Sequence, residues 1–304
     1  MSLLHLRHQG AVVASLLRLA SSRYRGGPLP EVPGAVVTRE LPPIPEGLVT
    51  AYQNFCGGDP NEEALPSHLF PQWGFPLMVE VLKGVDLPHR RILNQGCTLT
   101  MNSRLPRRSP LYLSAQLTKL DADEYRARLT QRLATGLEAG DERLVAEIHS
   151  YIPLKRRESG GQNGRRPRTQ PKGLKEVGRF QAPRGSGFRY ACLTGDFNPI
   201  HWLSPAARIA GFRAPILHGF ATMALTQNCI ERELGQPLKR LDVRFTRPFV
   251  MPGEARIFRN DRGEIHVLDT GDQLVMAGAA LLTSPSDSTT AAPEEHDSHQ
   301  SPEG

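Results

Sequence analysis

The chain concentrates its most reactive side chains in residues 190–201, which read Tyr-Ala-Cys-Leu-Thr-Gly-Asp-Phe-Asn-Pro-Ile-His. Asp196, Asn198 and His201 bring a carboxylate, an amide and an imidazole together on one short segment. Such a set can bind a water molecule and take its proton, because carboxylates and imidazoles serve as general bases in proteins. The segment therefore predicts acid–base chemistry on water.

A His218-Gly219 step follows downstream, at the head of an apolar helical pattern. The first amides of a helix have no partner within the helix, so the N–H of Gly219 can bind a carbonyl oxygen. Glycine permits close approach of that oxygen, and the helix dipole adds partial positive charge. Together with the segment upstream, this step predicts a reaction at a carbon that a carbonyl group activates.

Each residue of the reactive segment also has a structural interpretation. Asp196 and Asn198 in a Gly-Asp-x-Asn-Pro sequence can simply form a turn, because both side chains readily bond their own backbone. His201 alone could be a packed or an exposed histidine. The combination favours a catalytic pair of Asp196 and His201, with Asn198 holding the loop or the water.

The neighbouring polar residues are open to two interpretations each. Thr194 either bonds Asp196 or caps the turn, and Tyr190 is expected in the core rather than at the chemistry. His218 either supports the site or has a structural role. Three arginines could meet the phosphates of a substrate or be merely solvated: Arg208, Arg213 and Arg247.

The two halves of the chain are distant copies of one pattern. Residues 52–58 resemble 190–196, residues 73–78 resemble 218–223, and residues 99–104 resemble 242–247. The matched segments keep the same order and lie roughly 140 residues apart, which indicates an internal repeat.

Each half predicts one main helix followed by strands. Apolar spacing places the helices at 69–83 and 214–232. Strands are predicted at 92–103, 110–119, 124–134 and 142–153 in the first half, and at 241–245, 254–260, 264–269 and 273–283 in the second. One long helix with an antiparallel sheet, occurring twice, is an α+β layout.

Composition bounds the possible partners. The 304 residues are 39% hydrophobic and 22% charged, as in ordinary globular proteins, and the length suits two domains. The net charge is +6, but no aromatic residues interleave the basic run after residue 155, so no nucleic acid partner is expected. No apolar run approaches the ~20 residues that span a bilayer, so no integral membrane segment is expected.

Low-complexity segments predict where the domains begin and end. Residues 155–174 read as a basic flexible linker between domains at 41–154 and 175–283, and residues 284–304 read as a disordered tail. Residues 1–40 form an N-terminal extension.

The extension contains a possible amphipathic helix at 11–20 and no acid before Glu31. It suits either a mitochondrial-type transit segment or a helix lying on a membrane or on the protein itself, and docking on its own domain is favoured. Four cysteines without a Cys-x-x-Cys pair predict neither a zinc site nor disulfides. A cytoplasmic location is expected, with the mitochondrial matrix as the alternative.

The segment Gly-Asp-Phe-Asn-Pro-Ile-His, at 195–201, and the later Leu-His-Gly, at 217–219, resemble the signature of the MaoC-like or R-specific enoyl-CoA hydratases. These are hot-dog proteins, in which a sheet wraps one long helix. The resemblance covers 175–283 well and 41–154 only in outline, which implies a double hot-dog with a degenerate first copy. In that copy Gly58 stands in the place of Asp196.

The first copy departs from the signature at two further positions. Glu63 stands where His201 would be expected, and Trp73 replaces His218 ahead of a glycine. The first half therefore has no matching acid–base pair. Its expected role is to complete the sheet and to shape an acyl tunnel, with Trp73 as packing, and medium or long acyl groups are anticipated.

The resemblance implies reversible hydration of trans-2-enoyl thioesters and dehydration of (R)-3-hydroxyacyl thioesters. Asp196 and His201 would activate water, Asn198 would hold the loop or the water, and the Gly219 N–H would form the oxyanion hole. No metal or other cofactor is implied, since coenzyme A or an acyl carrier protein is part of the substrate. A monomer or a homodimer is expected.

Two other functions stay open at this stage. A hot-dog thioesterase would use a carboxylate on the helix, but the first one after Gly219 is Glu231. A non-catalytic acyl-thioester-binding protein would have no need of Asp196 and His201.

Overall fold

The computed structural model describes residues 2–155 and 173–282. Most of the predicted basic linker and the whole of the predicted tail at 284–304 lie outside the described residues. No helix in the described ranges is both long and apolar enough to cross a membrane.

Ten antiparallel strands form one continuous sheet, in the order β1-β3-β4-β5-β2-β7-β10-β9-β8-β6. The strands of the first half are β1 (Val37–Leu41), β2 (Leu93–Met101), β3 (Leu111–Ala122), β4 (Arg126–Gly136) and β5 (Leu144–Pro153). Those of the second half are β6 (Lys175–Ala182), β7 (Leu238–Phe245), β8 (Gly253–Arg259), β9 (Glu264–Asp269) and β10 (Leu274–Leu282).

The sheet order is symmetric about its centre, where β2 pairs with β7. Each strand of the first half has a counterpart at the mirrored position of the second. At the seam Leu99 lies opposite Leu241, and both side chains are fully buried. Burial of such a leucine contributes about 1.5–3 kcal/mol, so the seam joins the two halves into one core.

Within the described residues, six α-helices accompany the sheet: α1 (Gly10–Ser21), α2 (Glu46–Cys56), α3 (Phe70–Glu80), α4 (Ser186–Thr194), α5 (Ser204–Ile209) and α6 (Gly219–Leu234). The central helices of the two halves, α3 and α6, share the main core with residues of the sheet. Helix α6 begins after the extended residue His218 and ends at Gly235, whose φ of 65° is readily adopted by glycine. Each half is thus a sheet packed on a central helix, which is a hot-dog unit.

The sequence predicts the main helices and eight strands, but not β1, β6, α2, α4 or α5. It predicts one loop at 190–201, whereas the first five residues of this segment complete helix α4. The predicted helix at 69–83 corresponds to α3, which begins at Phe70 and contains Trp73. Pro71 suits the first turn of this helix.

Helix α1 packs on the body of the protein, as expected of a segment that docks on its own domain. It contacts α3, and the buried Val12 lies against Gly195 after the end of α4. The side-chain amide of Gln9, which is 1% exposed, donates a hydrogen bond of 3.1 Å to the carbonyl of Leu193.

Candidate active site

The loop that carries the predicted site begins where helix α4 ends. Gly195 has φ of 84°, a left-handed conformation that terminates the helix, and Val12 leaves no room for a Cβ there. The Asp196 carboxylate accepts a 3.3 Å hydrogen bond from the amide of Asn198. The side chain of Asn198 in turn accepts from the amide of Ile200, also at 3.3 Å.

These contacts define the role of Asn198. Its side chain is exposed and caps the short 3-10 helix Pro199–His201. The loop-holding alternative for Asn198 therefore has direct geometric support. The turn interpretation of the Gly-Asp-x-Asn-Pro sequence is correct as well, and the turn brings His201 back toward Asp196.

His201 is held in one orientation by the backbone. Its Nδ1 lies 2.8 Å from the carbonyl oxygen of Ile216. Because a carbonyl oxygen only accepts, Nδ1 must carry the hydrogen, and the neutral ring then has an unprotonated Nε2. Burial lowers the pKa of His201 from its ordinary 6.5, while the Asp196 carboxylate acts in the opposite direction. The neutral ring is thus a proton acceptor near pH 7.

His218 is a buried partner of the same loop, with 2% of its side chain exposed. Its Nε2 donates to the backbone carbonyl of Asp196 at 3.0 Å, and its ring stacks on His201 with centroids 3.6 Å apart. Burial, and secondly the proximity of His201, lower the pKa of His218 to about 3. It is therefore neutral near pH 7, and its 3.9 Å approach to the Asp196 carboxylate is not an ion pair.

The described part of the chain contains one group of side chains that could share a metal ion. The ligand atoms of Asp196, His201 and His218 all lie within 4.8 Å of one another. One nitrogen of each imidazole already bonds a carbonyl oxygen. The cluster of carboxylate and imidazoles also suits a water molecule and its proton.

Gly219 is the first residue of α6, where an amide has no partner within the helix. Among the described residues, no group accepts a hydrogen bond from this N–H. The amide is therefore available to a ligand oxygen, and the dipole of a sixteen-residue helix favours negative charge there.

A cavity of about 750 Å³ connects these groups. Its wall includes five of the predicted site residues as well as one predicted phosphate-binding arginine: Asp196, Asn198, His201, His218, Gly219 and Arg247. The volume falls within the range of ligand pockets, about 300–1,000 Å³. The cavity wall also includes residues of the first half, such as Phe75 and Met78, so one cavity spans both hot-dog units.

Thr194 and Tyr190 do not line the cavity. The Thr194 hydroxyl donates to the carbonyl of Tyr190 at 2.9 Å, so it closes the last turn of α4 and does not bond Asp196. Tyr190 is 1% exposed and its ring lies 4.8 Å from that of His218. Tyr190 is therefore a packing residue behind the site, as the sequence predicted.

The three arginines separate into two groups. Arg247 is exposed and follows β7 at the wall of the cavity. Arg208 and Arg213 are also exposed, but neither belongs to the cavity wall. Of the three arginines, Arg247 is therefore the one placed to contact a ligand in this cavity.

The first half has no matching acid–base pair. Glu63 is exposed and pairs with Arg108, and Trp73 is buried with its indole N–H donating to Thr135. The counterpart of His218 is His68, because each precedes the central helix of its half and contacts a buried tyrosine. The Tyr52–His68 centroids lie 5.5 Å apart, against 4.8 Å for Tyr190–His218.

Sequence reasoning missed the backbone and packing partners of the site. Nothing in the sequence marks the carbonyl of Ile216 as the group that orients His201. The contribution of α1 to the cavity wall was also missed, although its apolar spacing was visible. That spacing predicted a helix without indicating which surface the helix covers.

Comparison with known proteins identifies the second half of the chain. Residues 167–269 match the family model described as MaoC like domain. This region of the chain is similar to MaoC-like domains. Over 231 residues the chain is 26% identical to 3-hydroxyacyl-thioester dehydratase X of Mycobacterium tuberculosis, covering 75% of this chain and 81% of that protein.

Two further comparisons extend the MaoC-like likeness across both halves. The chain is 24% identical over 208 residues to a protein named probable enoyl-CoA hydratase 2 of Dictyostelium discoideum, covering 65% of this chain and 70% of the other. The crystal structure of HtdX from Mycobacterium tuberculosis superposes with a TM-score of 0.66 at 18% identity, covering 82% of this chain and all of that one. The structural likeness confirms the double hot-dog, α+β fold class.

Proposed function

We propose that this MaoC-like hydro-lyase hydrates trans-2-enoyl thioesters reversibly, and that in the other direction it removes water from (R)-3-hydroxyacyl thioesters. The observation that carries the proposal is the fixed tautomer of His201. Its Nδ1 is bound to the Ile216 carbonyl, so Nε2 is a proton acceptor beside the Asp196 carboxylate. The dehydratase and hydratase names of the relatives support the same chemistry.

In the proposed reaction, Asp196 and His201 bind one water molecule in the cavity. His201 Nε2 takes a proton as the water oxygen bonds to C3 of the enoyl group. The electrons of the C2=C3 double bond move toward the thioester, whose oxygen becomes enolate-like and accepts a hydrogen bond from the Gly219 amide. The proton then returns to C2, so the net change is the addition of one water.

Burial of the base supports this assignment. A buried imidazole with a lowered pKa is unprotonated near pH 7 and can begin the cycle as a base. The Asp196 side chain is 25% exposed, which is consistent with a carboxylate that faces the cavity rather than the core. Asn198 contributes by holding the turn between these two groups.

The thioester carrier is proposed to be coenzyme A or an acyl carrier protein, with Arg247 meeting its phosphate. Replacing Arg247 with alanine is expected to raise KM for an enoyl-CoA while leaving kcat nearly unchanged. The equivalent changes at Arg208 and Arg213 serve as matched controls, because both residues are exposed and lie away from the cavity wall.

The test is loss of enoyl absorbance with crotonyl-CoA and longer trans-2-enoyl-CoAs. Asp196→Asn and His201→Gln are each expected to reduce kcat by ~10²–10⁴-fold, the usual contribution of a positioned acid–base group. Glu63→Gln changes the corresponding position of the first half and is expected to retain full activity. A folded wild-type protein that converts no enoyl thioester of any chain length or carrier would refute the proposal.

The same assay separates hydration from thioester hydrolysis. Glu231 lies twelve residues after Gly219, about 18 Å along the helix, and it is occupied by hydrogen bonds from Gln227 and the Leu238 amide. A carboxylate in this position does not suit attack on a thioester near Gly219. We therefore expect enoyl consumption without release of free thiol.

A further inference from the structure

Helix α1 forms one wall of the cavity that contains the proposed catalytic groups. Its lining residues are Val13, Leu16, Leu17, Leu19 and Ala20. They share this part of the cavity with the α3 side chains Phe75, Met78 and Val79 and with the neighbouring Leu82. The N-terminal segment therefore encloses part of the space where a substrate would lie.

The helix is fixed at both of its ends. At the start, Gln9 donates to the carbonyl of Leu193, two residues before the turn that carries the site. At the end, the guanidinium of Arg90 donates to the carbonyl of Ala20. The Asp86 carboxylate then holds the chain beyond α1 by accepting from the amide of Arg25 at 2.9 Å. These contacts make α1 a fixed wall rather than a loosely attached extension.

The cavity beside α1 suits a hydrocarbon. Two of the buried polar residues in the wall bond backbone carbonyls: His89 Nε2 donates to Val85 at 2.9 Å, and Gln131 Nε2 donates to Met78 at 2.6 Å. Burial lowers the pKa of His89, so its ring is neutral near pH 7. Arg90 also lines the cavity, but it is exposed and its guanidinium donates to the Ala20 carbonyl, so the buried surface beside α1 is mainly apolar.

Leu16 lies centrally on the wall. Val13 precedes it by three residues and Leu19 follows by three, so the three side chains lie along one face of the helix. Leu16 is half-buried and lines the cavity, whereas Leu17 is 65% exposed at its rim. A chain that extends from the site under the first half would meet Leu16 where α1 faces α3.

We propose that α1 sets the acyl chain length of the substrate, with Leu16 contacting the far end of the tail. The inference rests on the proposed function, because it takes the ligand to be an acyl thioester whose reacting carbons lie beside Asp196 and His201. Because Val12 lies against Gly195 beside the site, a tail that reaches Leu16 runs along α1 away from that turn. Medium to long acyl groups are therefore the expected substrate class.

The experiment measures the affinity of saturated butyryl-, octanoyl-, dodecanoyl- and palmitoyl-CoA by calorimetry, alongside turnover of the matching enoyl-CoAs. Each buried methylene tightens binding by roughly fourfold, so the affinity rises with chain length. The rise ends at the length whose tail contacts α1, and this length is the break in the profile. Leu16→Trp is expected to move this break to a shorter chain and weaken the longest ligand at least about tenfold, with butyryl-CoA unchanged. Leu16→Ala is expected to move it to a longer chain.

Ala14→Trp is the matched control. Ala14 is exposed on α1 and lies outside the cavity wall, so the same bulky side chain there should leave the length profile unchanged. A length profile that stays the same in both Leu16 variants overturns the inference even if enoyl turnover is normal. Conversely, a break that moves with Leu16 supports it even if no enoyl thioester is converted. If Leu16→Trp fails to fold, the direction of the Leu16→Ala shift decides.

Discussion

Gly219 lies directly against the ring of Phe245. A Cβ at Gly219 would come within 2.8–3.0 Å of three ring carbons of Phe245, closer than real Cβ atoms approach. The start of α6 and the end of β7 can therefore meet only if the first helical residue is glycine. The close contact places the free amide of Gly219 in the same cavity wall as Asp196 and His201.

The contact predicts that Gly219→Ala impairs the enzyme for a steric reason. The alanine keeps its N–H, but the Phe245 ring or the helix start must move, and such overpacking typically destabilises by about 1–3 kcal/mol. We expect a lower kcat with crotonyl-CoA and a lower melting temperature. The double variant Gly219→Ala, Phe245→Leu removes the clash and should recover part of both.

The control for this experiment is Phe245→Leu alone, which gives the effect of a smaller side chain on the wall. If the double variant is no more active than Gly219→Ala, relief of the steric contact is not what limits activity, and glycine would be needed at the site for another reason.

A second prediction concerns the protonation of His201. Burial lowers its pKa below the ordinary 6.5, so the acid limb of kcat/KM for hydration should fall below pH 6.5. The Asp196 carboxylate raises the pKa of His201, so Asp196→Asn should move the NMR titration midpoint of that ring to lower pH. Glu63→Gln is the control and should leave the midpoint in place. A midpoint that rises in Asp196→Asn would contradict the assigned pairing.

The site was predictable from sequence to the extent that its chemistry lies within one segment. Asp196, Asn198 and His201 are close in the chain, and local turn formation alone brings them together. The orientation of His201 was not predictable, because it depends on a carbonyl fifteen residues away. Main-chain acceptors carry no residue-specific signal, so long-range positioning by Ile216 left no trace in the sequence.

In the fold, as in the site, features set by local sequence were predictable, whereas features set by long-range contacts were not. The predicted strand at 264–269 matches β9, whose apolar and polar residues alternate. The edge strands β1 and β6 were missed because strands at sheet edges bury few side chains, and their pattern is correspondingly weak. The surface on which α1 packs could not be predicted either, since amphipathic spacing indicates a helix but not the surface that it contacts.

A third prediction concerns stability in acid. Burial lowers the pKa of His68 to about 4 and that of His218 to about 3. Below pH 6.5 the unfolded chain binds protons at these rings while the folded chain does not, so the free energy of unfolding should fall as pH falls toward 4. Each pKa unit corresponds to ~1.4 kcal/mol, which makes the combined effect several kcal/mol.

Urea unfolding between pH 7.5 and 4.5 would measure this slope. His68→Gln removes one of the two rings and should flatten the dependence of the unfolding free energy on pH. Thr135→Val is the matched control, because it removes a buried hydrogen bond, from the indole of Trp73, without touching a titrating imidazole. It should lower stability at every pH without changing the slope. An unchanged slope in His68→Gln would show that this ring does not titrate as proposed.

The last prediction concerns metal ions at the cluster of Asp196, His201 and His218. The proposed mechanism moves the proton of water through Asp196 and His201 themselves, so dialysis against EDTA should leave kcat unchanged. Added Zn²⁺ is expected to inhibit, because zinc would occupy the nitrogen and carboxylate atoms that must bind water. His201→Gln removes one of these ligands and should weaken zinc binding in a direct calorimetric titration, which needs no catalytic activity. If EDTA instead abolished turnover and a divalent ion restored it, the reaction would depend on a bound metal, and the roles assigned to Asp196 and His201 would change from base to ligand.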